Sequence, residues 1–120
     1  MSEESLPEES VPEESFLLVA TTTDSAERAR ALAAGAVAAR LAACAQIDGP
    51  LTSVYRWQGA IETATEWRVL YKTTAARYRD LEAHIKAEHT YDVPEVVATE
   101  VVTGSAEYLA WLREETAPGS

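Results

Sequence analysis

The sequence predicts an α+β domain in which two helices pack on one face of an antiparallel sheet. Three observations lead to it. Phe16-Leu17-Leu18-Val19-Ala20-Thr21-Thr22 is a short apolar run of strand formers. The stretches after Asp24 and after Thr74 carry apolar residues at helical spacing, and Gln58-Gly59 divides two extended segments as a hairpin turn would. Together they give the order β-α-β-β-α-β with one helix appended, the split βαβ, ferredoxin-like arrangement. At 120 residues and 47% hydrophobic content, the chain holds one domain with a core of ordinary size.

Residues 1–15 repeat Glu-Glu-Ser at a period of five, with Pro7 and Pro12 between the copies. Such a segment has too little apolar surface to offset its ordering entropy, so a disordered acidic tail is expected over 1–15 and the domain over 16–115. The Phe16 run is the first strand, and a central one. Asp24 precedes Glu27 by three positions, the spacing of an N-cap carboxylate and a first-turn acid, so a helix starts there. Ala29, Leu32, Ala33, Ala36, Val37 and Leu41 form its inward stripe. Gly35, which costs about 1 kcal/mol against alanine inside a helix, points to close packing.

Leu41 to Ile47 turns extended, Asp48-Gly49-Pro50 marks a turn or kink, and Leu51 to Trp57 resumes as strand. The return strand runs from Ile61 to Lys72, where Trp67, Val69 and Tyr71 alternate with Arg68, Leu70 and Lys72. Thr73 and Thr74 cap a second helix over Ala75 to Glu88, with Tyr78, Leu81 and Ile85 inward. A strand then spans Glu95 to Thr103. Ser105 caps a last helix whose apolar face is Tyr108, Trp111 and Leu112, and 116–120 is expected to fray.

Two helices cover only one face of the sheet. Tyr55, Trp57, Trp67, Tyr71 and the Val96 to Val102 run carry more apolar surface than that face hides, and an uncovered apolar face marks an interface, so a homo-oligomer is expected. The formal net charge of −10 argues against nucleic acid and anionic membranes as partners, because phosphates bind clustered Lys and Arg. Six of the 20 acidic residues stand in the first 15 positions, so the remainder is only mildly acidic. The single cysteine makes no intrachain disulfide, no basic segment followed by an apolar core stands at the amino terminus of this sequence, and no apolar run approaches membrane length. A soluble cytoplasmic protein is expected.

Chemistry-bearing groups are densest in His89-Thr90-Tyr91-Asp92-Val93-Pro94-Glu95, where Pro94 makes a rigid reversal between helix and strand. Four segments follow one another here as they do in the CutA1 divalent-cation tolerance proteins, which the chain resembles from about Phe16 to Arg113. They are Leu41-Ala42-Ala43-Cys44, Tyr55-Arg56-Trp57-Gln58-Gly59, Lys72-Thr73-Thr74 and the His89 to Glu95 corner. The resemblance implies a ferredoxin-like protomer in a tight homotrimer, similar in architecture to the PII signalling proteins. It also implies a role in tolerance of copper and other divalent cations, and brings no catalytic activity with it. Thr90 stands where the family usually has proline, and Asp92 where it usually has glutamate.

Cys44 is the one soft metal ligand, and His89 can add an imidazole nitrogen for copper or another divalent ion; the structural alternatives are a small buried thiol and an imidazole that fixes the turn. His84 and His89 lie five apart, about 140° around a helix, and are not a chelating pair. His84 has Asp80 and Glu88 at helical i−4 and i+4 and is expected in an exposed ion pair. The resemblance places Arg56, Trp57, Lys72, Tyr91 and Glu95 around a cleft between protomers. There Arg56 and Lys72 can hold a carboxylate or phosphate, or else Arg56 pairs with Glu95 and Trp57 anchors the interface. Two functions follow: a trimeric divalent-cation binding protein, or a PII-like module taking a small anion or a partner protein. An enzyme is not expected, since no nucleophile elbow, phosphate loop or His-Glu-x-x-His spacing is present.

Overall fold

A computed structural model describes residues 11–118. The first strand, β1 (Phe16–Thr23), is followed by α1 (Ala26–Ala38), β2 (Cys44–Trp57) and β3 (Ala60–Thr74). A single 3-10 turn, Ala75–Arg77, leads into α2 (Tyr78–Glu88), and β4 (Val97–Glu100) and α3 (Ala106–Glu115) complete the chain. The sheet is antiparallel in the order β2-β3-β1-β4, which makes β1 central as expected.

Each element follows from local chemistry. Ser25, one residue later than the expected Asp24, caps α1 by accepting the Arg28 N–H at 2.9 Å. The helix ends when Arg40 takes φ 62° and the Leu41 N–H turns back to the Ala36 carbonyl at 2.9 Å. Gln58 (φ 51°) and Gly59 (φ 85°) form the two-residue hairpin turn whose twist suits the flanking strands. The expected kink at Asp48-Gly49-Pro50 is a register shift within one continuous strand. Gly49 sits there with φ 148°, where a Cβ would come within 2.7 Å of the Trp67 ring.

The core lies between the sheet and the first two helices: Leu17 and Val19 of β1, Val69 and Tyr71 of β3, Ala29, Ala33 and Ala36 of α1, and Leu81 and Ile85 of α2. Tyr71 is fully buried here, which corrects the expectation that it adds to the uncovered face. Trp67 points the same way. Both share a face with Val69, and the register aligns that face with Val19 and Thr21 beneath the helices. Gly35 is explained by His84, since a Cβ at Gly35 would lie 3.1 Å from His84 Cε1 and 3.2 Å from Nε2. That contact also replaces the expected ion pair. Asp80 accepts from Arg77 at 3.3 Å, while His84 Nε2 is buried without a partner.

The opposite face carries Leu18, Ala20, Leu70 and Lys72, and α3 crosses only one end of it. There Leu112 is buried, Arg113 stacks over Phe16 at 4.5 Å, and Lys72 donates to the Tyr108 hydroxyl at 3.3 Å. Arg40 reaches the far end of α3 and donates to the Glu114 and Ala117 carbonyls, each at 2.9 Å. Beyond Trp67, β2 and β3 continue past the end of β1 as a two-stranded ribbon. On it Val54 and Ile61 are each 67% exposed, with Tyr55 and Trp57 nearly half exposed.

Of the expected tail, residues 1–10 lie outside the described residues, whereas 11–15 rest on the domain. The Ala75 N–H bonds to the Ser15 carbonyl at 2.8 Å and the Ala76 N–H to the Glu13 carbonyl at 3.2 Å. Thr74 makes no side-chain cap, so these two carbonyls perform the capping expected of Thr73 and Thr74. At the other end Thr116 is buried, with its hydroxyl donating to the Leu112 carbonyl at 2.9 Å; residues 119–120 lie outside the described residues. Strand β4 is shorter than the expected Glu95 to Thr103, because side chains, not a strand ladder, hold the chain before Val97.

Candidate functional site

The corner after α2 is tied to three elements. The His89 N–H closes α2 on the Ile85 carbonyl at 2.9 Å. Its ring then links two backbone groups: Nδ1 accepts the Tyr91 N–H at 3.1 Å, so the proton resides on Nε2, which donates to the Thr22 carbonyl at 2.8 Å. The imidazole lies 4.7 Å from the Tyr91 ring, and the Tyr91 hydroxyl donates to Glu66 on β3 at 2.7 Å. Glu95 accepts from the Thr22 hydroxyl at 3.4 Å. The end of α2, the end of β1 and the middle of β3 are thus fastened together through the side chains of His89, Tyr91, Glu66, Glu95 and Thr22.

Burial pushes the Tyr91 hydroxyl well above the ordinary phenol range, and the hydrogen bond to Glu66 and the nearby negative charge reinforce the shift. Tyr91 therefore stays a neutral donor throughout the physiological range. The sequence gives little hint of Glu66, since an acid in an alternating strand normally faces water; here it is 8% exposed.

The other expected site residues fall elsewhere. Arg56 and Trp57 are at the ribbon tip, opposite Ile61 and Ala60, and Trp57 is 48% exposed. Lys72 stands opposite Cys44, eleven residues along β3 from Ile61, roughly 35 Å at the rise of a strand. Arg56 and Lys72 therefore do not meet within one protomer. Lys72 is engaged by Tyr108, with its ammonium 5.3 Å from the ring centroid. Cys44 is half-buried beside Lys72, while His89 is held at Thr22, which pairs with Arg68 four residues away on β3.

These residues do not make a metal centre in one protomer. Among the described residues no three His, Cys, Asp or Glu side chains converge on a point, and both nitrogens of His89 are already bonded. The uncovered end of the sheet has a concavity of about 560 Å³, lined by Ala20, Gln46, Ile47, Asp48, Arg68 and Leu70. Arg68 and Asp48 face each other across β2 and β3 in a two-point pair at 3.0 and 3.3 Å. Asp48 pushes the Arg68 guanidinium still higher than usual. No described helix is long and apolar enough to cross a membrane.

A four-stranded antiparallel sheet with α1 and α2 on one face, and a His-Tyr-Glu corner closing the second crossover, defines a ferredoxin-like α+β protein. Residues 17–115 match the family described as CutA1 divalent ion tolerance protein, and the chain belongs to that family. The divalent-cation tolerance protein CutA of Thermus thermophilus is 46% identical over 99 residues, spanning 82% of this chain and 96% of the relative. The solved structure of the divalent cation tolerance protein from Thermus thermophilus superposes with a TM-score of 0.83 at 45% identity, covering 85% of this chain and 99% of the other. CutA1 from Oryza sativa superposes with a TM-score of 0.84 at 35% identity, covering 88% and 96% of the two chains.

Proposed function

We propose that the protein is a cytoplasmic homotrimer that binds divalent cations, copper among them, and contributes to metal-ion tolerance without catalysing a reaction. The observation that carries this reading is the 46% identity to a divalent-cation tolerance protein matched over nearly its whole length. The geometry adds a condition. Since one protomer has no converging ligand set among the described residues, the ion site is built from more than one protomer. The exposed ribbon, with Val54 and Ile61 bare on one side, supplies the apolar surface for that assembly. The anion-binding alternative would need Arg56 and Lys72 from different protomers, since within one protomer they stand at opposite ends of the β2–β3 pair.

The test is copper and zinc titration of the wild type, Cys44→Ser and His89→Ala, each with its mass measured by light scattering. The reading expects a trimer that binds, with affinity reduced in at least one variant. A monomer at micromolar concentration, or a wild type that binds neither ion, overturns it.

A further inference from the structure

The Glu-Glu-Ser repeat is the one sequence motif to which metal tolerance assigns no role. Its third copy, Glu13-Glu14-Ser15, lies on the domain as a strap. The Ser15 and Glu13 carbonyls accept the Ala75 and Ala76 N–H groups, Arg113 donates to the Glu14 carbonyl at 3.4 Å, and Val11 packs against the core. One side-chain bond joins the strap to the edge strand: Ser15 Oγ donates to Glu100 Oε2 at 3.1 Å. Glu100 pairs with Leu17, so the alternation along β1 places Ser15, Leu17 and Glu100 on one face and Phe16, with Arg113 stacked on it, on the other. The hydroxyl therefore meets a carboxylate, while Arg113, which holds the Glu14 carbonyl, stacks on the other face of the sheet.

We propose that Ser15 is a phosphorylation site and that its phosphate releases the strap. A protein kinase transfers the terminal phosphoryl group of a nucleoside triphosphate to Ser15 Oγ. The O–H bond gives way to an O–P bond, the nucleoside diphosphate leaves, and the hydroxyl proton passes to solvent. The product replaces a donor to Glu100 with a group of about two negative charges beside the same carboxylate. Glu13 and Glu14, immediately upstream, suit a kinase whose substrate groove is basic. Once the strap lifts, the Ala75 and Ala76 N–H groups lose their acceptors. The concavity of about 220 Å³ lined by Glu13, Arg77, Arg113 and Thr116 then loses its Glu13 wall.

The experiment compares chains carrying serine, phosphoserine or alanine at position 15, with phosphoserine installed during synthesis, by amide exchange resolved at Ala75 and Ala76. Exchange is expected to quicken about tenfold in the phosphoserine chain and to change far less in Ser15→Ala. In a Glu100→Lys background the sign reverses and phosphate slows exchange. Equal exchange with serine and phosphoserine overturns the release. Mass spectrometry that finds Ser15 unmodified in chain isolated from its own cells, grown with and without metal stress, overturns the site.

Discussion

Tyr91 and Glu66 are joined across 25 positions of sequence by a 2.7 Å hydrogen bond that closes the corner after α2 onto the middle of β3. Glu66 is buried, and this phenol is its donor. Replacing Tyr91 by phenylalanine keeps the ring against His89 and removes the bond. A loss of about 1 to 2 kcal/mol in urea denaturation at pH 7 is expected, moderated by the partial exposure of Tyr91.

The same residue makes a pH prediction. The folded state raises the Tyr91 pKa above the unfolded value of about 10, so its contribution to stability is complete below pH 10. That contribution is lost as pH rises toward the folded value, because the unfolded chain releases the proton first. The stability advantage of wild type over Tyr91→Phe should therefore shrink as pH is raised from about 10 to 12. A difference that stays flat across this range contradicts it.

Gly35 and His84 are coupled through a contact in which a methyl group would fit only if the imidazole gave way by a few tenths of an ångström. Gly35→Ala gains about 1 kcal/mol of helix propensity but presses on the imidazole, which must give way slightly. In a His84→Ala background the obstruction is gone. A double-mutant cycle should show Gly35→Ala at least about 1 kcal/mol more favourable there than in the wild type.

Arg40 combines a left-handed backbone with a guanidinium that holds two carbonyls at the end of α3. Arg40→Gly relieves the backbone and Arg40→Ala does not, so the glycine variant should be the more stable of the two by about 1 kcal/mol. Both lose the clamp. Both should speed amide exchange in the last turn of α3 relative to wild type.

On the ribbon, Val54 and Ile61 share one face, with Ile61 paired to Arg56. Ile61→Asp should lower the mass seen by light scattering while leaving the circular dichroism of the protomer intact. A variant of unchanged mass removes this face from the proposed assembly.

Much of the fold was legible because its signals are local. The Gln58-Gly59 turn, the Ser105 cap and the alternation of Trp67, Val69 and Tyr71 each depend on residues within a few positions. The errors share a different cause. Thr74 resembles a cap, but the acceptors for Ala75 and Ala76 come from Ser15 and Glu13, some 60 residues upstream. His84 resembles a surface ion-pair member because Asp80 and Glu88 flank it, yet Gly35 of α1 determines its surroundings.

The sequence by itself determined the order of the elements, the hairpin and the inward stripes, since periodicity and turn chemistry are properties of short segments. It also singled out His89, Tyr91 and Glu95 as the place where polar groups gather. Only the tertiary structure decided what those groups do. The Thr22 carbonyl, 67 positions from His89, engages one imidazole nitrogen, and Glu66 engages the phenol. The pairing of β1 with β3, which no local pattern specifies across such distances, brings Thr22 beside the corner and leaves the corner as the fastening of α2 to the sheet.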